Sequence, residues 1–352
     1  MGAVTRPILR VDERAFRNNI AAIAERVAPA EIMLVVKDDA YGHGARWAAE
    51  TAIAAGVRWV GAYDVHTAVM LRDTVDADAE LFAWATSTDA EIVEAIMSGV
   101  HLGVGTIEYL RRVIAQAVKL GSVARIHLKI DTGLHRNGLS AVEWGEGVRI
   151  ALEAQDAGAV DLVGVWSHLS EASDEEDDAS HVRFLAAVDD ARALGADIRH
   201  THLTASAASW ERPSLRGNLV RVGAFCYGVR SADGPEMPGI VPAGRLVATV
   251  SSVEDGRARI GIGALDGLPS VLAGRVDVGT PAGARRLLSI ELGSSVVEAW
   301  PGAAAGDEVI VFGPGLAGES SATTLAETIG TVGEEILTRL ATRVRRVHEP
   351  AL

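Results

Sequence analysis

Residues 33–44 read MLVVKDDAYGHG, an apolar run that ends in a lysine and passes into a loop with two glycines. A helical pattern follows at once, starting at Ala45. A strand that leads through a short loop into a helix is the repeating unit of a parallel α/β sheet. Glycines ahead of a helix also let backbone N–H groups approach an anion, and the helix dipole favours a phosphate there.

The same alternation of strand and helix extends on both sides of this stretch. Eight strand-like runs favour a (β/α)8, TIM-like barrel over an open sheet. These runs are 32–36, 59–63, 81–84, 100–104, 125–130, 162–168, 202–205 and 219–225. Helical patterns lie between them, at 14–27, 45–55, 89–97, 107–119, 141–157 and 181–194.

The pattern changes after Val229. A link rich in glycine and proline leads into short alternating strands with turn signals between them, and a helix is predicted over 321–340. We therefore predict an α/β chain in two domains, a barrel over 8–235 and a mostly-β domain over 236–352. The acidic run 174–178 is predicted to be a solvated loop.

Composition excludes several classes of protein. The 352 residues carry a net charge of −14, which argues against binding to nucleic acid or to an anionic membrane. A single cysteine, Cys226, excludes an internal disulfide and a cysteine-based zinc site, and no metal is expected. No run reaches the ~18 apolar residues of a membrane span, and the first ten residues lack a signal-peptide core, so we expect a cytoplasmic protein.

Lys37 is the first candidate for chemistry. The chain has only three lysines, at 37, 119 and 129. A lysine that ends an apolar strand is costly to bury unless it is paired or used covalently. An exposed lysine at the start of a loop is the ordinary alternative, but the glycine loop behind it favours a functional one.

Five motifs resemble those of alanine racemases, in the same order along the chain. Residues 35–44 resemble the lysine signature that binds pyridoxal 5′-phosphate (PLP), with Asp38-Asp39 in place of Ala-Asn. Residues 127–138, HLKIDTGLHRNG, resemble the segment that holds a carbamylated lysine and a substrate-binding arginine. The others are WSHL at 166–169, TASA at 204–207 and VRVGAFCYG at 220–228. The likeness extends from about Pro7 to His348.

This resemblance implies a role for individual residues of this sequence. Lys37 would bind PLP covalently and act as a base, and His168 would stack on the pyridine ring. Arg221 would face the pyridine nitrogen, which stays largely unprotonated because an arginine does not give up its proton. Lys129, when carbamylated, would orient Arg136 toward the carboxylate of a small amino-acid substrate. The phosphate would be held by Tyr41, Ser206, Gly223 and Ala224.

The resemblance also implies a homodimer whose active sites are shared, and there it fails at one catalytic position. Racemases use a second base, a tyrosine in a Gly-Tyr-x-Asp-Gly-Tyr-Pro segment. Residues 263–269 read GALDGLP, so the tyrosine falls at Ala264, and no tyrosine follows Tyr227 in the whole sequence. The second tyrosine of that segment falls at Leu268, and Glu334 stands where a further tyrosine would donate to the phosphate. Asp266 is the first candidate for a substitute base, with Glu291 and Ser270 behind it.

Three functions remain open at this point. The first is a racemase or epimerase that acts at the α-carbon of an amino acid other than alanine. The second is a single-base PLP reaction on the same scaffold, such as aldol cleavage, decarboxylation or elimination. The third is a non-catalytic PLP-binding protein, which the retention of Lys129 and Arg136 disfavours.

Overall fold

In the computed structural model of the protein, residues 6–230 and 234–351 are described, and they contain sixteen strands. Their bounds are β1 (Ile8–Asp12), β2 (Glu31–Val35), β3 (Trp59–Ala62), β4 (Glu80–Ala83), β5 (His101–Val104), β6 (Ala124–Lys129), β7 (Val160–Trp166), β8 (His200–His202), β9 (Leu219–Val222), β10 (Gly244–Glu254), β11 (Arg257–Ile260), β12 (Asp277–Thr280), β13 (Gly283–Ile290), β14 (Ser295–Glu298), β15 (Glu308–Phe312) and β16 (Arg345–Glu349).

Right-handed helices alternate with the strands up to β9 and return near the end of the chain. They span Glu13–Val27, Ala45–Ala54, Val65–Arg72, Asp89–Met97, Ile107–Leu120, Ala141–Asp156, Asp174–Ala193, Ser206–Glu211, Ala322–Ile329 and Gly333–Thr338. Several begin at the residues that favour a helix start. Thr88 and Ser140, for example, each exchange hydrogen bonds with a glutamate three residues later, which satisfies backbone groups at the helix N-terminus.

The first compact unit, called here the barrel unit, consists of residues 23–37 and 45–223. Its sheet has the strand order β8-β7-β6-β5-β4-β3-β2-β9, and every paired neighbour is parallel. The two end strands, β8 and β9, lie in contact, and Thr201 donates its backbone N–H to the Asn218 side chain at 2.8 Å. The sheet is thus a nearly closed parallel barrel, as the strand–helix alternation predicts.

The interior of the barrel is filled with large side chains, because its strands are covered on both faces and are apolar along almost their whole length. One buried cluster unites side chains from five strands around the barrel. Its members are Met33, Trp59, Phe82, Val163, Trp166 and Leu219.

The second compact unit, called here the sheet unit, consists of the described residues within 1–22, 38–44 and 224–352. Its strands form a mostly antiparallel sheet in the order β11-β14-β13-β12-β15-β10-β1-β16. β1 lies between β10, with which it is antiparallel, and β16, with which it is parallel. Together with the barrel, this sheet confirms the predicted fold class.

The predicted barrel range of 8–235 differs from the structure at its start. Ile8–Asp12 alternates between buried and partly exposed residues, and it pairs in the mostly antiparallel sheet instead of the barrel. Such alternation suits a strand with one covered face, whereas most residues of the barrel strands are buried. The boundary near residue 235 stays a prediction.

Two local predictions were wrong. The acidic run 174–178 is not a loop but the first turn of the helix Asp174–Ala193, which Ser173 caps by accepting from the Glu176 N–H. Carboxylates are stabilised at the positive end of a helix, so this run favours a helix start. The helix predicted over 321–340 is broken at Gly330, whose φ of 71° ends the first of two short helices.

In the described part of the chain, no helix is both long and apolar enough to cross a bilayer.

Candidate active site

Lys37 lies two residues beyond the end of β2 in the barrel unit. The preceding residue, Val36, still donates its backbone N–H to Gly61 at 3.0 Å, so the chain remains tied to β3 up to the lysine. The side chain is partly buried. This anchoring places the amine at the carboxyl end of the strand, where barrel enzymes carry their reacting groups.

The residues after Lys37, which belong to the sheet unit, adopt a left-handed turn. Asp38, Asp39, Ala40 and Tyr41 all have φ between 53° and 54°. Hydrogen bonds from Gly42 to Asp38 and from Gly44 to Asp39, each 2.9 Å, close the turn. Left-handed backbone costs about 1–2 kcal/mol for each residue with a side chain. Strain of this kind persists where the surrounding structure enforces it, and it is concentrated at functional sites.

The left-handed turn brings together two of the residues expected at the phosphate. Tyr41 is 5% exposed, and its side chain is hydrogen bonded to the backbone of Ala224. Burial, followed by the charge of Glu334, raises the pKa of Tyr41 well above its ordinary value. Tyr41, Ala224 and Glu334 therefore form one cluster within the sheet unit, and the phenol stays protonated as a hydrogen-bond donor.

A second cluster, in the barrel unit, is cationic and surrounds His168. Burial first, then the charges of Arg221, Arg136, Lys129 and Lys37, holds the pKa of His168 well below its usual range. Arg221 approaches the ring directly, with Nη2 donating to Nδ1 of His168 at 3.1 Å. The structure thus brings together the predicted PLP lysine, both residues of the substrate-binding motif and the predicted pyridine partner.

Lys129 is buried at the end of β6, with Nζ 4.6 Å from the centre of the Trp166 ring. Burial, with added repulsion from Arg136 and Arg221, lowers its pKa to about 8. Arg221 is buried too, and burial followed by the charge of Arg136 lowers its pKa to about 9, which leaves the guanidinium charged near neutral pH. Arg136 itself is exposed. Such a concentration of positive charge is complementary to an anionic ligand.

Ser206 and Gly223 meet as the resemblance implies. The Gly223 backbone N–H donates to Oγ of Ser206 at 3.1 Å, which joins the start of the helix Ser206–Glu211 to the residue after β9. The two groups therefore lie close enough to contact one phosphate, a role that stays a prediction.

Asp266, the first candidate for a substitute base, is held by hydrogen bonds within the sheet unit. Asp266 is 2% exposed, and both of its oxygens are engaged: Oδ1 accepts from Arg343 Nε at 2.6 Å and Oδ2 from the Gly263 N–H at 2.8 Å. This arrangement argues against Asp266 as a base, because a buried carboxylate paired with an arginine holds its loop in place. Ala264 is exposed, whereas Leu268 is buried.

Glu291 also has an arginine partner. Its Oε2 accepts from Arg259 Nη1 at 2.6 Å and from Ser294 Oγ at 3.1 Å, and these bonds hold its pKa below the usual range. A carboxylate with a lowered pKa is a weak base near neutral pH. Ser270, the third candidate for a substitute base, is exposed, as Glu291 is.

One contributor to the cluster was missed by the sequence reasoning. His202 ends β8, and its Nδ1 lies 3.0 Å from Arg221 Nη1, so it holds one terminal nitrogen of the guanidinium while His168 contacts the other. The signal was available, since a histidine inside a buried strand needs a hydrogen-bonding partner there.

The chain is similar throughout its length to known proteins. The family described as alanine racemase, N-terminal domain, matches residues 11–231, and alanine racemase, C-terminal domain, matches residues 252–348. A curated alanine racemase from Beutenbergia cavernae is 37% identical over 96% of each chain. Another from Thermobifida fusca is 34% identical over 97% of this chain and 98% of its own.

Solved structures agree. The alanine racemase from Streptomyces coelicolor superposes with a TM-score of 0.91 at 30% identity, over 97% of this chain and 98% of its own. That from Streptomyces lavendulae gives a TM-score of 0.90 at 31% identity, over 99% and 98%. Enzymes of this family use PLP, which confirms the expected cofactor. Both domains and the relatives confirm the resemblance read from the five motifs, and the chain belongs to the alanine racemase family.

Proposed function

We propose that this protein moves the α-proton of an amino acid with PLP as cofactor, in racemase- or epimerase-type chemistry on a substrate larger than alanine. This proposal rests mainly on the cationic cluster around His168, in which Lys37 lies near Arg136, Lys129 and Arg221. An amine base beside several cations suits an anionic cofactor and a substrate carboxylate. PLP, when bound, withdraws electrons from the α-carbon of the amino acid.

Each residue of the cluster has a distinct task in this proposal. Lys37 would hold the cofactor, and its Nζ would take a proton from the α-carbon and return it. Arg136 pairs with the substrate carboxylate, a task for which its planar fork is suited. Arg221 would pair with the pyridine nitrogen of the cofactor, and its contact with His168 would orient that imidazole for packing against the cofactor. In the barrel unit, Ser206 and the Gly223 N–H would bind the phosphate, the role that the resemblance also implies for Tyr41 and Ala224.

Lys129 is proposed to be carbamylated. A lysine attacks CO2 only as the neutral amine, and a pKa near 8 leaves a substantial neutral fraction close to neutral pH. The nitrogen lone pair forms a bond to the carbon of CO2 and the nitrogen releases a proton, so a cation becomes an anion. That anion would offset the charges of Arg136 and Arg221 and orient Arg136.

A second candidate, a single-base reaction, is favoured by the segment around Ala264. The position that carries the second base in the family has no side chain beyond Cβ here, and the carboxylates of Asp266 and Glu291 are paired with arginines. With Lys37 as the one base, a proton is exchanged on one face of the α-carbon only. The loss of the tyrosine side chain at Ala264 also supports a substrate larger than alanine.

One experiment distinguishes these functions. The PLP-loaded protein is incubated in D2O with a panel of L-amino acids and, separately, D-amino acids, and α-deuteration, chirality and products are measured together. Deuteration with loss of optical purity identifies a racemase or epimerase. Deuteration of one enantiomer without inversion, or a cleaved product, identifies a single-base reaction. No deuteration and no product from any amino acid, with Lys37→Ala as the matched blank, indicates a binding protein.

A further inference from the structure

Three buried histidines form a hydrogen-bonded row through the core of the barrel unit. His101, His127 and His202 come from β5, β6 and β8, and each is at most 3% exposed. His101 Nδ1 lies 3.1 Å from His127 Nε2, and His127 Nδ1 lies 2.9 Å from His202 Nε2. We call these three residues the histidine chain.

The histidine chain is bounded by the cation of Arg221 at one end and by the carboxylate of Glu80 at the other. Arg221 Nη1 lies 3.0 Å from His202 Nδ1, and Glu80 Oε2 lies 2.9 Å from His101 Nε2. Glu80 is the first residue of β4, and its side chain is 33% exposed. The row therefore connects the amino end of the barrel strands to the arginine of the cationic cluster.

The arginine end fixes the position of every hydrogen in the row. A guanidinium only donates, so His202 Nδ1 must accept and His202 Nε2 must carry the hydrogen. His127 Nδ1 then accepts from His202, and His127 Nε2 carries its own hydrogen. By the same step His101 accepts at Nδ1 and donates from Nε2.

The glutamate end gives the same answer independently. The hydrogen bond from His101, with the charge of Arg125, holds the pKa of Glu80 below its usual range, so its oxygen accepts. Burial lowers the pKa of all three histidines, which keeps each ring neutral with one donor and one acceptor nitrogen. All hydrogen bonds in the row thus point the same way, from Arg221 to Glu80.

The surroundings show that the row is built into the core. Trp59 and Phe82 each contact rings of the chain, with centroid distances between 5.0 and 5.7 Å. Gly164 leaves the space for His127, because a Cβ there would come within 2.7 Å of its Nδ1. Polar rings in an apolar core cost free energy unless every group is satisfied, so an unbroken row is the arrangement that the core tolerates.

We propose that Glu80 is a positioning residue for Arg221 and acts through the histidine chain. The carboxylate accepts the last of four hydrogen bonds that run in one direction, and each bond polarises the next. Nη1 of Arg221 donates to Nδ1 and to the backbone oxygen of His202, and Nη2 contacts His168, so the acceptor that the histidine chain presents at His202 helps to fix the plane of the guanidinium. The hydrogen positions are a property of the protein alone, whereas any effect on the cofactor rests on the proposed function.

The hydrogen positions are tested without a variant. Solid-state 15N NMR of protein labelled in histidine distinguishes protonated from unprotonated ring nitrogens, with His→Gln variants used only for assignment. We expect His101, His127 and His202 each to be neutral and protonated at Nε2, with and without PLP. A ring protonated at Nδ1, or at both nitrogens near neutral pH, would overturn the proposal.

Two variants test whether a change at Glu80 is transmitted along the histidine chain to His202. Glu80→Ala removes the hydrogen-bond acceptor, and Glu80→Gln retains an acceptor oxygen but removes the charge. Glu31→Gln is the matched control, because Glu31 starts β2 on the same end of the barrel and lies near His200. In Glu80→Ala we expect 15N shifts that are largest at His101 and still resolved at His202, smaller changes in Glu80→Gln and none in the control. A response confined to His101 would show that Glu80 does not reach Arg221.

The holoenzyme supplies a second readout, the absorption band of bound PLP and its pH titration. We expect Glu80→Ala to shift the band or its titration and Glu31→Gln to leave both as in the wild type. Unchanged bands in Glu80→Ala, with intact 15N assignments, would refute the positioning of Arg221. Failure of the wild type to bind PLP would instead refute the proposed function and leave the hydrogen positions standing.

Discussion

Asp266 and Arg343 form an ion pair in the sheet unit in which the carboxylate is 2% exposed and the guanidinium Nε donates to Oδ1 at 2.6 Å. The second oxygen of Asp266 accepts from the Gly263 N–H, one residue before Ala264. The pair therefore fixes the backbone on which the family carries its second base. A carboxylate held in this way stabilises the loop and is poorly placed to exchange protons with a substrate.

The first prediction concerns this ion pair, and it distinguishes a role of Asp266 in stability from a role in catalysis. Arg343→Met leaves a buried carboxylate without its cation, and we expect the free energy of unfolding to fall by about 1–3 kcal/mol. Asp266→Asn should lower stability by a similar amount yet retain α-deuteration at equal PLP occupancy. Urea titration and deuterium incorporation measure the two effects. Loss of α-deuteration in a folded, PLP-loaded Asp266→Asn would restore Asp266 as a base.

The second prediction concerns the identity of the PLP lysine. Borohydride reduction of the holoenzyme should fix the cofactor to the peptide that contains Lys37, and Lys37→Ala should lower α-deuteration by at least the 10²–10⁴-fold typical of a general base. Lys119→Ala is the control, because Lys119 is exposed on the helix Ile107–Leu120. Peptide mapping by mass spectrometry checks the site, and label on Lys119 or Lys129 would contradict it.

The third prediction is a pH dependence at Lys129. Because its pKa is lowered to about 8, the reactive neutral amine becomes more abundant as pH rises from 7 to 9. At a fixed concentration of dissolved CO2, a 13C carbamate signal should therefore grow across this interval and disappear in Lys129→Met. Lys119→Met should retain the signal. A wild-type protein without a carbamate signal at pH 9 would disprove the modification.

The fourth prediction tests the lost tyrosine. Ala264 is exposed, so Ala264→Tyr places a phenol on the surface of the sheet unit without disturbing its core, and we expect racemisation of alanine to appear or to rise. Leu268→Tyr is the contrasting variant, because Leu268 is 2% exposed and a larger side chain there should destabilise the fold by about 1–3 kcal/mol. Chiral chromatography at equal PLP occupancy measures the rates. Wild-type protein that already racemises alanine as fast as Ala264→Tyr would show that another group serves as the second base.

The fifth prediction is a homodimer formed through the surface around Ala264. Leu265 and Leu292 are 58% and 70% exposed there, and the Leu265 N–H donates to the Leu292 carbonyl at 2.9 Å, so the two apolar side chains are neighbours. Leu292→Asp should weaken the dimer in sedimentation, whereas Leu316→Asp, at a leucine that is 82% exposed, should not. A wild-type protein that sediments as an active monomer would refute the shared active site.

The sequence predicted the barrel because its strands are continuous apolar runs between amphipathic helices. It predicted the site residues by resemblance, and four of them, Lys37, Lys129, Arg136 and Arg221, lie around His168. It could not predict β1, because five alternating residues do not indicate which distant strands they pair with. Nor could it separate Asp266 from a base, since Arg343 lies far along the chain and only folding brings the two side chains together.

The histidine chain was beyond the sequence for a related reason. His101, His127 and His202 all lie within strand-like runs of the sequence, but nothing in their spacing indicates that their rings meet. The contact depends on the stagger of β5, β6 and β8 around the barrel and on the missing side chain at Gly164. Such a row becomes visible only in three dimensions.

The position of β1 has a consequence for how this protein is made. β1 precedes the barrel strands in the sequence, yet its hydrogen-bonding partners are β10 and β16, which follow them. With β16 it pairs from Ile8–Arg345 to Asp12–Glu349. The barrel strands, by contrast, pair mostly with their neighbours in sequence. Contacts between distant segments slow folding, because a long loop must close before they form. We therefore expect the barrel to form before β1 finds its partners, and the sheet that contains β1 to be completed only after β16 has been synthesised.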